Sequence, residues 1–105
     1  MTNKIRVMNQ TATLQIPKTI TRGKDMTIEV KVDEQTTVHS VMEQWYDQVD
    51  DTALRARLFD SRGDPNKYLT VMLNGKNIAF KDGIDTIVKG SDQVYVIPVV
   101  SGGAL

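Results

Sequence analysis

The spacing of apolar residues changes twice along the chain, and this constrains its fold more than any other feature. Met26, Ile28, Val30 and Val32 alternate with Thr27, Glu29, Lys31 and Asp33, the period of a strand with one buried face. After Gln35 the spacing lengthens: Val38, Val41, Met42 and Trp45 fall at i, i+3, i+4 and i+7, one stripe of a helix. From Leu69 through Val71 to Leu73 the period of two returns. The resulting order is strand, strand, helix, strand, short strand, final strand.

The other elements follow from weaker signals. Ala12, Leu14 and Ile16 alternate with polar residues up to Pro17, which predicts a first strand. Pro17 to Asp25 reads as a polar turn containing Gly23, making the first two strands an antiparallel hairpin. Thr36 or Thr37 offers an N-cap oxygen for the helix, with no capping-box acid at the right spacing. Asp50 and Asp51 mark the start of a short second helix carrying Leu54 and Leu58, with Phe59 joining them. Residues 60–67 (DSRGDPNK) form a loop, and Asn74-Gly75 a tight turn after the third strand. Ile78 and Phe80 are expected in a short return strand, with one helical turn between Ile84 and Val88. The last strand runs from Gln93 to Val99, with Val94, Val96 and Pro98 on one face and Tyr95, Ile97 and Val99 on the other. The expected architecture is one α+β domain over residues 1–105, with flexible ends at 1–10 and 101–105.

Composition narrows the function. The 13 basic and 13 acidic residues cancel, so no net field favours a nucleic-acid partner. The chain has no cysteine, which removes thiolate metal sites and thiol nucleophiles. His39 is the sole histidine and reads as a helix-start residue facing solvent. Asp47, Asp50 and Asp51 lack the spacing of a calcium loop and read as a solvated helix end and a cap, so no metal site is expected. Arg62-Gly63-Asp64 and Asn9-Gln10-Thr11 spell an adhesion tripeptide and a glycosylation acceptor, which matter only outside the cell. No apolar stretch reaches membrane-spanning length and no secretion signal is visible, so the expectation is a cytoplasmic protein without a membrane partner. No self-contained active site emerges, and the chain is read as a non-enzyme.

The C-terminal segment is the remaining candidate. Asp92-Gln93-Val94-Tyr95-Val96-Ile97-Pro98-Val99-Val100-Ser101-Gly102-Gly103 resembles the end of the small ubiquitin-like sulfur carriers of thiamine, molybdopterin and amino-acid biosynthesis. The likeness continues upstream through Leu73-Asn74-Gly75, Phe80, Asp82-Gly83 and Lys89-Gly90-Ser91-Asp92. The Leu54-Arg55-Ala56-Arg57-Leu58-Phe59-Asp60 stretch most resembles the carriers of cysteine or homocysteine synthesis.

This resemblance implies a β-grasp fold: a mixed sheet of four to five strands packed on one main helix, the last strand beside the first. It also implies a job as protein co-substrate. An E1-like adenylating enzyme, using ATP and magnesium, would activate the carboxylate of Gly103. A sulfur donor would convert it to a thiocarboxylate, and a biosynthetic enzyme would accept the sulfur; the chain itself would bind no cofactor. Gly102 and Gly103, lacking Cβ atoms, suit a tail that must enter a narrow activating pocket. Tyr95, Ile97, Pro98, Val99, Val100 and Ser101 would form the partner-binding stretch, with Pro98 ending sheet pairing to release the tail. The chain departs from the mature pattern by continuing through Ala104 and Leu105. That implies a precursor cut after Gly103 by a processing protease, such as a metal-dependent one. Alternatives are a ubiquitin-like binding module or complex subunit that is never activated, a molybdopterin-synthase small subunit and a thiamine carrier.

Overall fold

In the computed structural model, residues 10–99 are described. Strand β1 (Gln10–Ile16) and strand β2 (Met26–Val32) pair antiparallel from Gln10↔Val32 to Ile16↔Met26. Helix α2 (Val38–Gln48) and helix α3 (Thr52–Leu58) then lead to strands β3 (Leu69–Leu73), β4 (Lys76–Asn77) and β5 (Gln93–Pro98). The sheet order is β2-β1-β5-β3-β4, with β1 and β5 parallel and the other neighbours antiparallel. The last strand therefore lies at the centre, beside the first.

The alternation in the sequence builds the core directly. Leu14, Val30, Val32, Val94 and Val96 are fully buried on one sheet face, against Val38, Val41, Met42 and Trp45 of α2. Trp45 is inaccessible to solvent, its ring 5.2 Å from that of Phe59 and tilted by 41°. Its Nε1 has no hydrogen-bond partner, so packing alone holds the indole. Leu54 and Leu58 of α3 close the same core.

Local side-chain chemistry sets the element ends. Thr37 caps α2 by accepting from the Ser40 N–H at 3.2 Å. Ser40 returns the bond by accepting from the Thr37 N–H at 3.4 Å, so a serine in place of an acid completes a capping box. Asp51 caps α3 through the Leu54 N–H at 3.0 Å, as expected. The Asp60 carboxylate accepts from the Arg62 and Asp64 N–H groups and folds the expected loop into a tight turn. Asn74 (φ 52°) and Gly75 (φ 83°) make the β3–β4 turn.

Three expectations are corrected. Ile78–Phe80 is a 3₁₀ turn, since the Asn77 side chain accepts from the Ala79 N–H at 2.8 Å and winds the chain after only two paired residues. Phe80 consequently points out, 88% exposed. The Pro17–Asp25 segment is not only a turn: it holds helix α1 (Lys18–Thr21), which buries Ile20. Between Ile84 and Val88 the helical turn sits earlier, at Gly83–Asp85. That turn is tied to the start of α2 by Val38 N–H to Thr86 O and Val88 N–H to Thr36 O, both 2.9 Å.

Candidate functional site

Because β5 is central and its side chains alternate, it presents a row of residues on the sheet face away from α2. Cross-strand neighbours share a face, so Tyr95 stands between Gln15 of β1 and Met72 of β3, and Ile97 stands beside Thr70. Tyr95 is 40% exposed and Val99 46% exposed, while Ile97 is half-buried between them. Two further residues escaped the sequence reading: Tyr68, 65% exposed, and the half-buried Met72. Their signal was present, because Tyr68, Thr70 and Met72 occupy the alternate positions to Leu69, Val71 and Leu73. The outer face of β2, by contrast, carries Thr27, Glu29 and Lys31. The apolar strip is thus confined to β5 and β3.

Pro98 stands at the end of β5. It pairs with Leu69, and the Val99 N–H still donates to the Tyr68 carbonyl at 2.7 Å. Pro98 lacks an N–H and is the last paired residue of β5; beyond it one bond from the Val99 N–H follows. Its side chain falls on the core side at the strand end, where it is exposed. The expected roles of Val100, Ser101, Gly102, Gly103, Ala104 and Leu105 lie outside the described residues.

The competing candidates are placed elsewhere. His39 Nε2 lies 3.5 Å from Glu43 Oε2, one turn along α2, with both side chains substantially exposed. A groove between α2 and the 60–63 turn gathers His39, Glu43, Asp47 and Arg62 over Met42 and Phe59. It lies on the helix side of the sheet, away from the strip. No group of three metal-ligating side chains occurs among the described residues. Arg62, Gly63 and Asp64 serve the turn organised by Asp60. No helix among the described residues is long and apolar enough to cross a membrane.

A mixed sheet with this strand order, one main helix on one face and an apolar strip along the central last strand defines a β-grasp, ubiquitin-like protein. Solved structures agree with that fold. SAMP1 from Haloferax volcanii superposes with a TM-score of 0.69 at 22% identity, covering 89% of this chain and 99% of its own. A chain of the BexX/CysO complex of Amycolatopsis orientalis gives 0.66 at 25% identity, covering 88% and 99%. Residues 14–103 match the ThiS family, and the chain belongs to it. Over 41 residues it is also 32% identical to a protein of Archaeoglobus fulgidus named as a sulfur carrier. That match takes in 39% of this chain and 47% of the relative, so the likeness spans about half of that protein's length. The ubiquitin-like sulfur carriers are therefore this chain's kin, small carriers rather than catalysts.

Proposed function

We propose that this chain carries sulfur on its own C-terminus after removal of Ala104 and Leu105. The Gly103 carboxylate attacks the α-phosphorus of ATP in an adenylating partner, giving an acyl-adenylate and pyrophosphate. Sulfide released by the donor then attacks the acyl carbon, the new C–S bond replacing the C–O bond to AMP, which leaves, so the terminus becomes a thiocarboxylate. ATP and magnesium belong to the partner. The carboxylate exists only once the Gly103–Ala104 peptide bond is hydrolysed, which assigns a processing protease to the system.

The observation that carries this reading is the strip of Tyr68, Met72, Tyr95, Ile97 and Val99. It runs along the central strand to the point where the chain leaves the sheet. A partner covering that strip would hold the root of the tail and aim its end into an activating pocket. The likeness to a chain of the A. orientalis BexX/CysO complex supports use of a separate partner, and the resemblance of residues 54–60 to carriers of cysteine or homocysteine synthesis supports a destination in sulfur amino-acid synthesis. The same chemistry fits a cytoplasmic setting, where ATP is available.

The test compares chains ending at Gly103 and at Leu105 in pyrophosphate exchange with the adenylating enzyme of the source organism. Exchange is expected with the shorter chain and not the longer, followed by replacement of one terminal oxygen by sulfur in the intact mass. In the shorter chain, Gly103→Ala slows exchange, while Ile97→Asp raises KM with little change in kcat. Absence of exchange from the shorter chain would sink this reading and leave a binding module.

A further inference from the structure

The end of the sheet from which the chain leaves is ringed by cations that the apolar strip does not explain. The parallel pairing Gln15↔Tyr95 brings the end of β1, and with it α1, alongside the last residues of β5. Lys18 lies on α1 and Arg22 and Lys24 in the turn after it, all three exposed. Arg57 reaches across from α3 and donates from Nη1 to the carbonyls of Ile20 (2.9 Å) and Thr21 (3.4 Å), fixing a guanidinium at the end of α1. Lys67 completes the arc from the other side: it precedes Tyr68, whose carbonyl holds Val99, and its Nζ stands 5.3 Å from the Tyr68 ring centroid.

Among the described residues these cations have no acidic partner within ion-pair distance. The ion pairs among the described residues are His39 with Glu43 and Arg62 with Asp60, neither in this arc. Of the nearby acids, Asp25 uses its carboxylate to accept from the Lys18 main-chain N–H at 2.7 Å, and Asp64 sits within the turn built by Asp60. Asp25 and Asp64 keep their charge, and five cations against these two carboxylates leave this end of the sheet with an excess of positive charge. Unpaired cations beside an exposed apolar strip make a polar rim around an apolar contact, the arrangement that sets encounter rate and register in a protein interface.

Building on the carrier reading, we infer that Lys18, Arg22, Lys24, Arg57 and Lys67 form a basic collar that docks on an acidic rim around the tail-receiving site of the adenylating partner. The strip supplies contact area; the collar orients the chain so that its tail enters first. The absence of net charge disfavours nucleic acid as the occupant, because a long polyanion would also meet the acidic remainder of the surface.

The chain ending at Gly103 is assayed by pyrophosphate exchange with the adenylating enzyme of its source, as wild type, as the triple variant Lys18→Glu/Lys24→Glu/Lys67→Glu, and as Lys67→Ala. Lys76→Glu/Lys89→Glu, at the opposite end of the sheet, is the control, and thermal unfolding checks that every variant folds. The triple variant is expected to raise KM about tenfold at low salt with kcat unchanged, and to flatten its salt dependence. Lys67→Ala should shift KM in the same direction by a smaller factor, and the control should match wild type. Equal KM values for the collar variants, the control and wild type would overturn the collar while leaving the carrier reading intact. Exchange absent from wild type itself would overturn both. Wild-type retention on immobilised single-stranded DNA at physiological salt, lost in the triple variant, would reassign the collar to a nucleic acid.

Discussion

Where this backbone turns left-handed among the described residues, Gly63, Gly75 and Gly83 take half of the positions, and Arg22, Asn74 and Ser91 take the other half. Asn74 and Gly75 obey the usual rule, but Arg22 (φ 61°) and Ser91 (φ 71°) take positive φ immediately beside Gly23 and Gly90. At Gly90 the reason is contact: a Cβ there would overlap Gln10 Oε1 and stand 3.0 Å from Cδ and 3.1 Å from Cβ of that side chain at the start of β1. The glycine is kept for space, and Ser91 takes the turn. No neighbour approaches Gly23, and nothing in the structure explains it. At Gly90 and Ser91, packing and dihedral needs therefore fall on adjacent residues, a division that the sequence alone does not display. Ser91→Gly should stabilise the fold by about 0.5–1 kcal/mol, since glycine adopts that φ without a Cβ clash. Gly90→Ala should destabilise it by about 1–2 kcal/mol as Gln10 is displaced. Urea unfolding of the two variants measures both signs, and stabilisation by Gly90→Ala would contradict the packing account.

At the scale of elements, what could be read in the sequence was whatever buries a periodic face. β1, β2, α2, β3 and β5 each declare themselves through three or four apolar residues at fixed spacing, and all of those faces are in the core. α1, β4 and the Ile78–Phe80 turn are too short to show a period and are held by contacts from elsewhere: Ile20 in the core, Asn77 on Ala79, Thr86 on Asp82. One such contact joins two elements that only the fold brings together. The Asn74 side chain donates from Nδ2 to Asp92 Oδ1 at 2.8 Å and accepts from the Gln93 N–H at 2.9 Å, while Asp92 Oδ2 accepts from the Lys89 N–H at 2.8 Å. This latch fastens the β3–β4 turn to the start of β5. Asn74→Gly keeps the positive φ and removes only the side-chain bonds, so it should cost about 1 kcal/mol, with Asp92→Ala costing a similar amount. The double variant should cost less than the sum of the two, by about 0.5 kcal/mol or more. Strict additivity in denaturant titrations would show that the two side chains act independently.

For the molecule as a whole, α2 covers only one face of the sheet, and the carrier reading places recognition on the other. Neighbours in sequence serve opposite ends: Leu14, fully buried, faces α2, while Gln15 flanks Tyr95 on the open face; Val94 and Val96 are buried, while Tyr95 is exposed. The alternation made this division legible in the sequence, but the width of the strip was not, because the pairing that sets Tyr68 and Met72 beside β5 is formed only on folding. The two faces should therefore respond oppositely to truncation. Leu14→Ala empties a sealed position between sheet and helix and is expected to cost about 2–5 kcal/mol of stability. In the fraction that remains folded, it should leave the KM for adenylation of the Gly103-ending chain unchanged. Tyr95→Ala removes a ring already in contact with water and should alter stability by less than about 1 kcal/mol, yet raise that KM severalfold. Unfolding free energies and exchange kinetics on the same preparations decide the matter. If Tyr95→Ala costs as much stability as Leu14→Ala, the ring supports the fold and the open face loses its claim to be the docking surface. If it leaves both quantities unchanged, the contact lies elsewhere on the molecule. Only a loss of docking without a loss of stability fits a strand whose one side is sealed under a helix and whose other side is kept for a partner.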